Sequence, residues 1–101
     1  MRHYAILSKL TQEGRKTVKD LPETIEQIDK ALEASGEVKI LMQFALLGPY
    51  DFLTIIQAED NKVILRTAME IESGGIMDTM TVPAIPVEDY VAEFKKQSKN
   101  D

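Results

Sequence analysis

Residues 38–58 read VKILMQFALLGPYDFLTIIQA, and this stretch decides the fold. Two runs of apolar, β-branched and aromatic residues flank Gly48-Pro49-Tyr50. Proline pre-sets the backbone for the second position of a tight turn. Two strands joined by so short a link make an antiparallel hairpin. In the first run Val38, Ile40, Met42, Phe44 and Leu46 alternate with Lys39, Leu41, Gln43, Ala45 and Leu47. The period of two places the first set on one strand face. The second set is mostly apolar too, so neither face reads as a solvent face. The second strand runs from Asp51 to Ala58 and carries Phe52, Leu53, Ile55 and Ile56.

Outward from the hairpin the punctuation is regular. Leu21, Ile25, Ile28 and Leu32 recur at the 4-3-4 spacing of one helical face. Asp20 stands at the N-cap, Pro22 in the first turn and Gly36 where a left-handed stop belongs. Before this helix, His3 to Leu10 reads as a strand, and Thr11 caps a short helical turn that contains Gly14 and runs towards Val18. After the hairpin, Asp60 or Asn61 caps a second helix with Ile64, Ala68 and Ile71 inward, and Gly74-Gly75 end it. A last strand spans Ile76 to Val82 and stops at Pro83 and Pro86. Val87, Tyr90, Val91 and Phe94 then mark a short amphipathic C-terminal helix. The order is βαββαβ, an α+β, ferredoxin-like arrangement. It implies a four-stranded antiparallel sheet with two helices on one face, plus the short terminal helix. Ile28 and Phe44 are expected in the core.

The length of 101 residues implies one domain, 1–101, with residues 95–101 expected to fray. Twelve basic against 17 acidic residues give a net charge of −5, which repels phosphate backbones and argues against nucleic-acid binding. The absence of cysteine excludes disulfides, thiolate metal sites and a cysteine nucleophile. No apolar run approaches the roughly 20 residues of a membrane span, and the N-terminal apolar segment is too short for a signal sequence. A cytoplasmic location and no membrane partner are the expectations.

With both helices on one side, the other sheet face should be polar in a monomer. The hairpin strands do not comply, and an exposed apolar sheet face marks an interaction surface. The expectation is a homo-oligomer, most simply two copies packed sheet to sheet. The alternative is that the C-terminal helix folds back over the face.

The chain resembles the GYD domain family of small bacterial and archaeal proteins. The naming motif stands as Gly48-Pro49-Tyr50-Asp51. Tyr4, Thr11 with Gly14, Asp20 with Pro22, and Gly36 match the family's layout, as does the ending from Gly75 through Thr79-Met80-Thr81 to Ala84. The likeness covers roughly residues 3 to 85. Glu23-Thr24 and Asp78 stand where the family commonly has basic residues. The resemblance implies a ferredoxin-like fold, assembled as a dimeric α/β barrel, and implies no reaction.

Candidate chemistry is sparse. His3, the sole histidine, could serve as a general base or a haem ligand, or simply sit on its strand. Tyr50 and Asp51 offer a hydroxyl and a carboxylate at the hairpin, where Tyr can also pack and Asp can bond turn N–H groups. Gln43, Thr54, Gln57, Thr79 and Thr81 are polar residues among apolar strand neighbours. They read as the convergent polar groups of a small-molecule site or as cross-strand pairs. His3, Gln43, Tyr50, Asp51, Gln57 and Thr79 are the candidate ligand contacts. Met42, Met69, Met77 and Met80 read as core and interface filling rather than a soft metal site. Gly74-Gly75 follows a helix instead of preceding one, so it is no phosphate loop. No metal and no cofactor are expected, and no residue pair stands out as nucleophile with base.

Three functions remain in competition. One is an oligomeric module that binds a small ligand or regulates. Another is a cofactor-independent dimeric-barrel enzyme acting on a small apolar or carbonyl compound. The third is a structural assembly unit without ligand.

Overall fold

The computed structural model describes residues 1–99, with side chains described through residue 96. Strand β1 (Arg2–Leu10) leads into a five-residue helix α1 (Gln12–Lys16), a 3-10 turn (Val18–Asp20) and helix α2 (Leu21–Ala34). The hairpin strands are β2 (Val38–Ala45) and β3 (Phe52–Ala58), followed by α3 (Asn61–Ser73), β4 (Met77–Ala84) and α4 (Val87–Lys99). The sheet is antiparallel with order β2-β3-β1-β4. This is the ferredoxin-like α+β topology expected from the element order.

Strand β1 lies at the centre and alternates strictly. Tyr4, Ile6 and Ser8 are buried under the helices, while Ala5 and Leu7 face the other way. Tyr4, Ile6 and Ile56 are wholly enclosed, and Leu21, Leu32, Val38, Ala58, Ile64, Ile71 and Met77 complete the cluster around them. At roughly 1.5–3 kcal/mol for each fully buried large side chain, this layer is the main source of stability.

Two corrections concern the residues expected in the core. A bulge between Ile40 and Met42 shifts the pairing with β3 by one residue. Val38 and Ile40 therefore face the helices, whereas Met42 and Phe44 fall on the open face. Phe44, expected in the core, is half exposed. One extra residue in a strand with a period of two moves every later side chain to the opposite face. Ile28 is partly buried against the core rather than enclosed by it.

Pro83 does not end β4 but lies within it, opposite Tyr4. An edge strand can hold a proline because its outward N–H has no ladder partner to lose. The terminal helix runs on to Lys99, past the expected end at Phe94. The segment expected to fray overlaps this last part, and residues 100 and 101 lie outside the described residues.

The links are pinned by backbone contacts. Thr11 N–H donates to the Ile76 carbonyl at 2.9 Å, and Thr11 Oγ1 to that of Gly75 at 2.7 Å. Thr11 Oγ1 also accepts from Gly14 N–H at 3.1 Å, capping α1. A Cβ at position 14 would collide with the Ile76 carbonyl oxygen, so only glycine lets these two links meet. In the hairpin turn Gly48 has φ 148°, a value other residues rarely adopt.

Candidate functional site

Helix α2 is seated on the sheet at its ends. Leu21 and Leu32 are buried, while Ile25 and Ile28 between them are only partly so. Under this middle section lies a cavity of about 220 Å³. Its walls are apolar, built from Ile6, Ile25, Ile28, Phe52, Ile56 and Met77. Ser8, Asp29, Gln43 and Thr54 are its polar lining. The bulge in β2 is what points Gln43 and Ala45 towards this side, because the register after it pairs Gln43 with Thr54.

The polar groups are organised. Gln43 Nε2 donates to Asp29 Oδ1 and to Thr54 Oγ1, each at 3.2 Å. Partial burial raises the Asp29 carboxyl above its ordinary range; the Gln43 hydrogen bond opposes this and the nearby Glu33 carboxylate adds to it. A carboxyl with a raised pKa at the edge of an apolar cavity carries a proton more readily than a surface aspartate does. The arrangement can hold a small, mostly apolar molecule and orient one hydroxyl or amide group on it. An apolar cavity of about 150 Å³ holds benzene, so this one has room for a single substituted ring.

The six candidate residues do not converge. Gln43 belongs to the α2 cavity, together with Thr54. His3 and Gln57 are cross-strand partners on the open face, and Gln57 Nε2 lies 3.2 Å from His3 Nε2. Tyr50 is half-buried, with its hydroxyl 3.5 Å from the Met80 sulfur. Asp51 ties strand ends together. Its Oδ2 accepts from Leu10 N–H, its own N–H donates to the Ser8 carbonyl and its carbonyl accepts from Leu46 N–H, all at 2.8 Å. The Gly48-Pro49-Tyr50-Asp51 motif therefore closes the hairpin and locks it to β1.

Thr79 lies elsewhere again, in a groove of about 370 Å³ between α3 and β4 that Tyr4, Asn61, Glu72 and Thr81 also line. Tyr4 donates its hydroxyl to Asn61 Oδ1 at 2.6 Å, and the Thr79 N–H lies 3.4 Å from the Glu72 carboxylate. Thr81 Oγ1 is buried without a hydrogen-bond partner among the described residues. His3 also borders a third depression, of about 350 Å³, with Arg2, Asn61, Pro86 and Asp89.

The sequence reading missed Asp29 and Ser8. A signal for Asp29 was present. It stands four residues after Ile25 and three before Leu32, on the edge of the apolar stripe, where a carboxylate is out of place. Among the described residues no three His, Asp or Glu side chains come together as a metal site. No described helix is long and apolar enough to cross a membrane.

The sequence pattern of the GYD domain matches residues 4–93. A protein of Thermus thermophilus described as "Glutamine synthetase and cystathionine beta-lyase binding protein" is 39% identical over 95 residues, which cover 94% of this chain and 100% of that protein.

Proposed function

The chain belongs to the GYD domain family, and from that premise we propose that it is a cytoplasmic, homo-oligomeric regulatory module that binds a small neutral ligand beneath α2. The observation that carries the reading is the α2 cavity, apolar on most sides and edged at its solvent-facing rim by the Asp29–Gln43–Thr54 group. The ligand class is a single ring or branched aliphatic chain bearing one hydroxyl or amide. The relative described as a binding protein for two enzymes supports the regulatory part. By analogy, partner enzymes dock on the outer surface, and occupancy of the cavity changes how firmly α2 is held.

The test uses p-cresol as the probe, followed by amide chemical shifts. Binding should move the amides of residues 25–32 and 43–45, and Ile28→Phe, which fills the cavity, should abolish the change. No shift at millimolar probe, or shifts confined to the α3 groove, would overturn the reading. A cofactor-independent enzyme is a second reading, favoured by the raised Asp29 carboxyl alone.

A further inference from the structure

Helix α4 leaves the body of the molecule. It packs extensively against no other element. Its apolar stripe of Val87, Tyr90, Val91 and Phe94 is exposed, with Tyr90 at 62% and Phe94 at 64%. The Tyr90 and Phe94 rings lie one helical turn apart with centroids 6.0 Å from each other, so they form one continuous apolar surface. The chain is correspondingly elongated, 56 × 31 × 18 Å, with a radius of gyration of 15.9 Å. A compact chain of this length has about 13 Å. The alternative of a terminal helix folded back over its own sheet is therefore not the arrangement observed.

The open face of the sheet is the second uncovered surface. Met42, Phe44, Met80 and Val82 are exposed on it, and Ala5, Leu7, Leu53 and Ile55 fill its middle rows. Charge is kept to the margins, where Lys9 sits directly opposite Asp78 in the register and Lys39 occupies the far strand. An apolar centre with a charged rim is the anatomy of a protein interface.

Areas decide what covers both. The chain exposes 7330 Å². A compact protein of 11.4 kDa exposes about 5,800 Å². The surplus, roughly 1,500 Å², exceeds the ~800 Å² that one partner loses in a standard interface. The sheet face alone supplies roughly 500 Å², from four strands about 4.8 Å apart and some 25 Å long. Two such faces bury only about 1,000 Å² together, the lower bound for a stable pairing. The exposed stripe of the arm adds to that total.

We infer that α4 is an exchanged arm: in a two-fold dimer the open sheet faces meet, and the stripe of each α4 packs on the other copy. A second copy is the occupant because each chain carries both surfaces, so two-fold pairing uses each twice and leaves neither exposed. The uncharged centre also keeps the net charge of −5 on each chain away from the contact. This inference rests on the oligomeric part of the function proposed above and is independent of the ligand cavity.

Light scattering at about 10 µM should give twice the chain mass. Tyr90→Asp with Phe94→Asp should give a monomer at that concentration, at least a 100-fold loss of dimer affinity. Met42→Asp with Val82→Asp should do the same from the sheet side. All four side chains are exposed in the single chain, so circular dichroism should be unchanged, and p-cresol should still move the cavity amides. A wild-type monomer would overturn both the inference and the oligomeric reading. A dimer indifferent to the arm substitutions would overturn the arm and leave the oligomer standing, and a ring of three or more copies would overturn the two-fold exchange.

Discussion

Helix α3 is tied to the sheet along its length, whereas α2 is tied at its ends and stands off in the middle. Along α3, Ile64, Thr67, Ala68 and Ile71 are all buried, and the Asp60 side chain accepts from the N–H groups of Lys62 and Val63. Along α2 only Leu21 and Leu32 are buried, and Asp20, at the equivalent N-cap, makes no side-chain bond. The two halves share one architecture, yet only one is filled. A helix anchored at both ends can leave its centre unpacked at little cost to the fold, and that is where space for a ligand survives. The price is borne by α2, which should be the half that loosens first.

The difference is open to direct attack, and the largest effect is expected in the core. Ile64→Ala should cost about 2–5 kcal/mol in urea melts, because the enclosed site cannot collapse around the void. Ile28→Ala, at a half-buried position beside an existing cavity, should cost only about 1 kcal/mol. Equal losses would mean that α2 is as tightly packed as α3. A middle-sized effect is expected at the caps. Asp60→Ala should destabilise by about 1 kcal/mol, since two N–H groups lose their acceptor. Asp20→Ala should be close to neutral, having no such bond to lose.

The smallest effect depends on pH. The folded-state pKa of Asp29 is raised, so its ionised form is disfavoured by folding. That penalty is absent below the unfolded value near pH ~3.9, and it sets in as pH rises through the higher folded value. Asp29→Asn keeps an oxygen to accept from Gln43 and removes the charge. Its melting temperature should exceed the wild type's at pH 7, and the gap should close as the pH is lowered towards 3. A gap that widens in acid would show the carboxylate to be stabilising instead.

How much of this was legible in the sequence depends on whether neighbouring residues contrast. The stripe Leu21–Ile25–Ile28–Leu32, the caps at Thr11 and Asp60 and the stop at Gly36 each stand out from their surroundings, and the elements follow. In residues 38–47 apolar side chains occupy both alternating sets, so nothing marks where a one-residue bulge inverts them. The inward turn of Gln43 and the outward turn of Phe44 were hidden for that reason. The candidate site was less legible still, because it depends on how closely α2 approaches the sheet. Spacing along a helix names the face that is buried but not the gap beneath it. The three bonds by which Asp51 fastens the strand ends join residues far apart in the chain or across the turn, and no spacing in the sequence announces them.

Strand β1 occupies the middle of the sheet, yet both of its neighbours lie far along the chain, and the nearest cross-strand fastening, from Leu10 to Asp51, spans 41 residues. During synthesis at about 5–20 residues per second, that interval lasts some seconds. Throughout it, Tyr4-Ala5-Ile6-Leu7 has no sheet to join, and the β2–β3 hairpin, whose partners are close in sequence, can form first. The segment that becomes the best-protected part of the finished protein is thus the one most in need of shelter while the protein is being made.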